Sequence, residues 1–207
     1  AEKLGINQST AVTCVKPSGT VSQLVNAASG IHARHNPHYV RTVRGDNKDP
    51  LTMFLKDKGI PSEPDFTAPD NVTVFSFPMK SPEGAICRYD MSALAQLELW
   101  LKIADNYCEH KPSVTISVKE NEWLEVGAWC WEHFDSLSGI SFLPFSDHSY
   151  KQAPYQDIDK EAFKELTEKM PPAIDWYELQ DYEKEDTTTG SQELACAGGV
   201  CEIVDIG

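Results

Sequence analysis

Between residues 113 and 170 the chain changes its hydrophobic period repeatedly, and no other feature limits its fold as strongly. SVTISVK (113–119) alternates apolar and polar residues as a half-buried strand does, and NEWLEVGAWCWEHF (121–134) reads as a helix. GISFLPF (139–145) returns to strand, and DKEAFKELTEKM (159–170) reads as a helix that stops before Pro171 and Pro172. Strands that alternate with helices predict an α/β layout with parallel pairing, in which function gathers at the carboxyl ends of the strands.

The first half supports the same class. TAVTCVK (10–16) is rich in β-branched residues and predicts a strand, followed by a turn and a helix from Val21 to Ser29 that Gly30 stops. HYVRTVR (38–44) and Val72 to Phe77 predict two more strands. Asp49 to Lys58 predicts a helix with Pro50 in its first turn and Gly59 just past its end. Leu94, Leu97, Leu101 and Ala104 recur at helical spacing from Ser92 to Tyr107, which predicts a heavily buried helix. Trp123, Trp129 and Trp131 share one predicted helix and read as core. From about Asp181 the periodicity stops in the polar stretch YEKEDTTTGSQ. The expected organisation is a folded body over 1–180 and a flexible tail over 181–207.

Charge excludes one class of function. The net charge is -14, whereas a general nucleic-acid binder needs a basic surface to displace phosphate counterions, so no polymeric nucleic acid is expected as a partner. Residues 151–207 hold 14 Asp and Glu against 5 Lys, a net of -9. No stretch approaches the roughly 20 apolar residues that span a bilayer, and the N-terminus lacks the layout of a secretory signal. The expectation is therefore a cytoplasmic protein with no membrane partner. Cys14, Cys87, Cys108 and Cys130 lie inside apolar patterns and read as buried free thiols.

Two short motifs carry chemistry. Lys16-Pro17-Ser18-Gly19-Thr20-Val21-Ser22 joins the first predicted strand to its helix. Unpaired amides at a helix start, a glycine that permits close approach, and flanking hydroxyls make a phosphate cradle; a simple N-cap is the competing reading. It is not a Walker loop, because its glycine spacing and ending differ. Near the C-terminus, Cys196 and Cys201 enclose Ala-Gly-Gly-Val, and two thiols at this spacing can close a disulfide without a rigid scaffold. That suits electron shuttling better than zinc, which prefers closer spacing and two further ligands. His32, His35 and His38 recur every three residues, but Gly30 and Pro37 break the helix that would align them, so no metal site is expected.

Taken together, VKPSGTVSQLV followed by SGIHARH, SFLPFSDHSYKQAPYQ in the middle and TTGSQELACAGGVCEI at the end resemble the C-terminal part of a ribonucleotide reductase. The resemblance covers essentially the whole chain and is nearest to the adenosylcobalamin-dependent class, especially the monomeric ribonucleoside-triphosphate reductases. It implies a ten-stranded α/β barrel, of which this chain supplies the C-terminal part. It also implies that Pro17, Ser18, Gly19, Thr20 and Val21 bind the phosphates of a ribonucleotide substrate. The implied catalytic thiols are Cys196 and Cys201 on a mobile tail, which reduces the active-site disulfide and is itself reduced by thioredoxin or a similar protein.

The family's radical-bearing cysteine and its neighbours precede the phosphate loop and have no match here; Cys14 is no substitute. The resemblance therefore implies a need for an N-terminal portion, with adenosylcobalamin as the radical source. Part of a barrel should also expose sheet edges and an apolar inner face. The alternative reading is a non-catalytic nucleotide- or protein-binding module with a redox-sensitive tail.

Overall fold

The periods read from sequence become elements at most of the expected places. The computed structural model describes residues 1–145 and 150–184. In chain order its main elements are α1 (Val21–Leu24), β1 (His38–Asp46), α2 (Pro50–Asp57), β2 (Ser62–Pro64), β3 (Val72–Lys80), α3 (Ala93–Asn106), β4 (Val114–Val118), α4 (Trp123–Glu132), β5 (Ile140–Pro144), β6 (Tyr155–Asp157) and α5 (Lys160–Glu168). They divide between two units, Ala1–Arg34 with Pro82–Asp147, and His35–Ser81 with His148–Gly207.

In the first unit β4 and β5 pair in parallel, Val114 opposite Ile140 through Val118 opposite Pro144. The crossover between them is α4, as the alternating periods require. Val114, Ile116 and Val118 point to one face of β4 and are buried with Ala93, Leu97 and Trp100 of α3 and Val126 and Trp129 of α4. This layer is the core of the unit. Trp100 satisfies its indole N–H on the Pro112 carbonyl at 2.9 Å, and Trp129 donates to Glu98 Oε1 at 2.7 Å, so neither ring costs an unpaired donor. Ser92 caps α3 by accepting from the Ala95 amide. Glu122, just ahead of α4, accepts from the Ala93 and Lys119 amides with its two oxygens and ties the two helix starts together.

The second unit is a four-stranded sheet in the order β2-β3-β1-β6, antiparallel throughout. Tyr39, Val40, Val74 and Phe75 lie buried in it, and Phe54 of α2 packs against Trp176 and Tyr182. Asp49 caps α2 through the Leu51 amide, and Pro50 takes the first helical position. A side chain at Gly45 would put its Cβ 2.2 Å from Thr52 Oγ1, so glycine is what lets α2 approach β1.

A buried polar network closes this unit. Asp65 accepts from the Arg44 guanidinium, the Thr67 amide and hydroxyl, and the Ala68 amide. Burial pushes its carboxyl up, but the bonds from Thr67, Arg44 and Ala68 outweigh that and hold its pKa at about 2. Gln152, in the left-handed region at φ 58°, donates to Glu63 and the Pro64 carbonyl and accepts from the Phe66 amide.

Several expectations are corrected. Among the described strands, parallel pairing holds for β4 and β5 only. Residues 10–16 join no sheet: Val12 is exposed, and the segment bonds to the loop 109–111. The helix expected over 21–29 is a single turn, ended by Asn26 at φ 50°. Of the three tryptophans expected in the core only Trp129 is buried, while Trp123 is 40% exposed and Trp131 84%. Of the four thiols only Cys87 is fully buried; Cys14, Cys108 and Cys130 are half-buried, and all four are free. Nor is the free face of the β4–β5 pair apolar: it carries Thr115, Ser117, Ser141 and Leu143. The described residues are thus a mixed α/β arrangement with two small sheets.

Candidate functional site

The turn after residue 16 belongs to the first unit and is held by its own serines. Ser18 donates its amide to Ser29 Oγ at 2.8 Å, and Ser29 Oγ donates back to the Ser18 carbonyl at 2.8 Å. Ser18 Oγ in turn accepts from the Ser22 amide at 3.0 Å. Gly30 completes the closure at φ 59°, where an added Cβ would lie 3.0 Å from the Lys16 carbonyl oxygen. Any side chain there would push the two ends of the loop apart.

The segment that follows anchors the loop. His32 Nδ1 lies 2.7 Å from the Ser29 carbonyl and Nε2 lies 3.0 Å from the Thr115 amide. A carbonyl accepts and an amide donates, so the imidazole carries its hydrogen on Nδ1 and links the turn to the free edge of β4. Arg34, buried, donates to the Ala27 carbonyl at 2.5 Å and to Asn26 Oδ1 at 2.7 Å. Its own backbone bridges in parallel to Cys87.

With the loop ends held, the exposed top offers donors. Among the described residues the amides of Gly19, Thr20 and Val21 have no acceptor, and all three residues are exposed. The Ser22 hydroxyl, in a side chain 5% exposed, has no partner either. α1 is too short to add much macrodipole, so these local N–H groups carry the positive field. The same stretch of the unit agrees in sign: residues 3–34 contain three Lys and Arg and no carboxylate side chain, in a chain whose net charge is -14. Three consecutive free amides beside Lys16 can hold a tetrahedral oxyanion.

The structure therefore brings Pro17 to Ser22 together with residues the motif did not include: Ser29, Gly30, His32 and Arg34. The missing carboxylates from 3 to 34 were a signal for an anion site. The serine pair eleven residues apart was not, because only the closed loop brings it together. Ser18 differs from its neighbours, since its amide is engaged with Ser29 and its hydroxyl hydrogen is what it has left to offer. The three histidines separate, His32 going to Ser29 and Thr115 while His35 of the second unit lies 2.7 Å from Asp157. Among the described residues no cluster of His, Cys, Asp or Glu is placed to hold a metal. Cys196 and Cys201 lie outside the described residues, as does the expected tail beyond 184.

No protein-family model matches the chain. Curated proteins do. An adenosylcobalamin-dependent ribonucleoside-triphosphate reductase of Lactobacillus delbrueckii subsp. bulgaricus is 28% identical over 98% of this chain and 28% of its own length. One from Euglena gracilis is 33% identical over 82% of this chain and 24% of its own length. The crystal structure of a B12-dependent, class II ribonucleotide reductase superposes with a TM-score of 0.72 at 26% identity, covering 90% of this chain and 26% of that one. This chain is a homologue of the class II ribonucleotide reductases. It spans about a quarter of the length of the reductases it matches.

Adenosylcobalamin belongs to those reductases by name. Asn26, Ala27, Ile31, Ile86, Met91 and Leu99 help line an apolar cleft of about 330 Å³ in the first unit. That volume is at the small end for a drug-sized ligand and cannot enclose a corrinoid. This cleft does not fit the cofactor.

Proposed function

We propose that this chain is the C-terminal portion of an adenosylcobalamin-dependent ribonucleotide reductase and contributes the last part of its ten-stranded barrel. Residues 17–21 form its substrate-phosphate loop, and Cys196 and Cys201 on its C-terminal tail are its thiol shuttle. The observation that carries the reading is the run of three exposed, unpartnered amides from Gly19 to Val21 on a turn braced by Ser18 and Ser29. Homology to ribonucleoside-triphosphate reductases favours a ribonucleotide as the ligand.

In this reading the Gly19, Thr20 and Val21 amides and the Thr20 hydroxyl donate to phosphate oxygens. Lys16 neutralises part of the charge. Fixing the phosphate places the ribose for reaction in the N-terminal portion of the enzyme, where adenosylcobalamin supplies the radical. Loss of the 2′-hydroxyl as water, with hydrogen in its place, is a two-electron reduction that leaves two active-site thiols as a disulfide. The Cys196–Cys201 pair reduces that disulfide through a mixed disulfide and becomes oxidised itself, and a thioredoxin-like dithiol in the cytoplasm restores it.

The test is reconstitution. The chain is mixed with the N-terminal portion of its reductase, adenosylcobalamin, a ribonucleoside triphosphate and thioredoxin, and deoxynucleotide is measured. Product is expected from the mixture and from neither part alone. Cys196→Ser or Cys201→Ser should abolish turnover driven by thioredoxin while sparing turnover driven by a small dithiol. Equal loss with both reductants would contradict the shuttle, and no product from the complete mixture would contradict the reductase reading.

A further inference from the structure

The helix α4 is apolar on both sides, which a helix with one buried face does not need. One side, centred on Val126 and Trp129, is in the core. On the opposite side Leu124 is 89% exposed and Trp131, two turns later, 84% exposed. Between them lie Gly127 and Ala128, and a Cβ added at Gly127 would meet nothing within 4 Å. Trp123 and Phe134 widen the strip on one side. Large apolar side chains around a low centre of small ones form a seat that a second helix can enter closely.

The charges around the strip say what kind of helix. Residues 120–135 contain five carboxylates and no Lys or Arg. Glu122 is spent on the Ala93 and Lys119 amides, which leaves Glu120, Glu125, Glu132 and Asp135 around the exposed strip. Lys119, the nearest cation in sequence, sits over the Phe145 ring. A second copy of this chain would bring two acidic rims together, which disfavours self-association.

We infer that the outer face of α4 is a docking surface for a helix of the reductase's N-terminal portion, one whose apolar strip is flanked by Lys or Arg. The inference rests on the reductase reading, in which the greater part of the protein has no counterpart here, and it adds where the two portions meet. Leu124 and Trp131 are the anchors, Gly127 and Ala128 set the close approach, and the four carboxylates select the basic rim.

The experiment co-expresses the chain with the N-terminal portion of its reductase, purifies the complex and measures affinity for four forms: wild type, Leu124→Glu, Trp131→Glu and the pair Glu125→Lys with Glu132→Lys. Circular dichroism confirms that all four fold, as substitutions at exposed positions should. Each of the two apolar variants is expected to weaken binding about tenfold or more, and the charge-reversed pair about fivefold. Wild-type binding should also weaken as NaCl rises from about 50 to about 500 mM. Equal affinity for all four forms overturns the inference and leaves the reductase reading standing. Failure of the wild-type chain to bind the N-terminal portion at all overturns both. A wild-type homodimer in sedimentation that Trp131→Glu dissolves, with binding to the N-terminal portion unchanged, shows the occupant to be a second copy and overturns the assignment made here.

Discussion

The two units differ in how far they satisfy their own polar and aromatic groups. The second unit answers its buried polar groups from within: Arg44 meets Asp65, Thr67 and Ala68 complete that carboxylate, and Gln152 satisfies Glu63, Pro64 and Phe66. The first unit rests on an apolar layer of α3, α4 and β4, and among the described residues leaves amides at Gly19 to Val21 and aromatic surface at Trp131 without partners. The difference teaches where ligands and partners belong, because groups already satisfied have little to gain from a new contact.

The largest test of this contrast is in the apolar layer. Trp100→Ala removes a fully buried indole from α3 and should cost about 4 kcal/mol in urea denaturation. A loss below about 1 kcal/mol would mean that this layer does not carry the unit.

Next comes the polar network. Asp65→Asn should cost about 2 to 3 kcal/mol at neutral pH, because Arg44 and the Thr67 amide lose a charged acceptor. Its carboxyl is held below the ordinary value of 3.8, at about 2, so the stability it contributes is present above pH 3.8 and is lost as the pH falls toward 2. Wild type should therefore lose about 2 kcal/mol more than Asp65→Asn across that window, read from denaturation midpoints. Parallel pH profiles for the two proteins would break the contrast.

The smallest effect on stability, and the sharpest on function, is expected at Gly30. Gly30→Ala puts a side chain at φ 59° against the Lys16 carbonyl and should cost about 1 kcal/mol. Calorimetry with a nucleoside triphosphate should show affinity falling by about tenfold, the larger consequence of spreading the loop. Unchanged affinity would separate the brace from the donors it is argued to position.

Sequence alone determined the elements whose periodicity is local. α3, α4, α5, β1, β3, β4 and β5 lie where hydrophobic spacing placed them, and the caps at Asp49, Ser92 and Asp159 were written in residue type. The resemblance to a reductase was likewise legible, because its motifs are contiguous words. Tertiary structure decided what depends on a partner. β2 and β6 are three-residue segments that become strands only by pairing with β3 and β1, and residues 10–16, with equally good strand composition, pair with no strand among the described residues. It also decided which tryptophan of α4 is core and which is surface, and it joined Ser18 to Ser29 and His32 to Thr115. The physical reason is range: spacing, capping and turn chemistry act over a few residues, whereas burial and sheet pairing depend on segments tens of residues away.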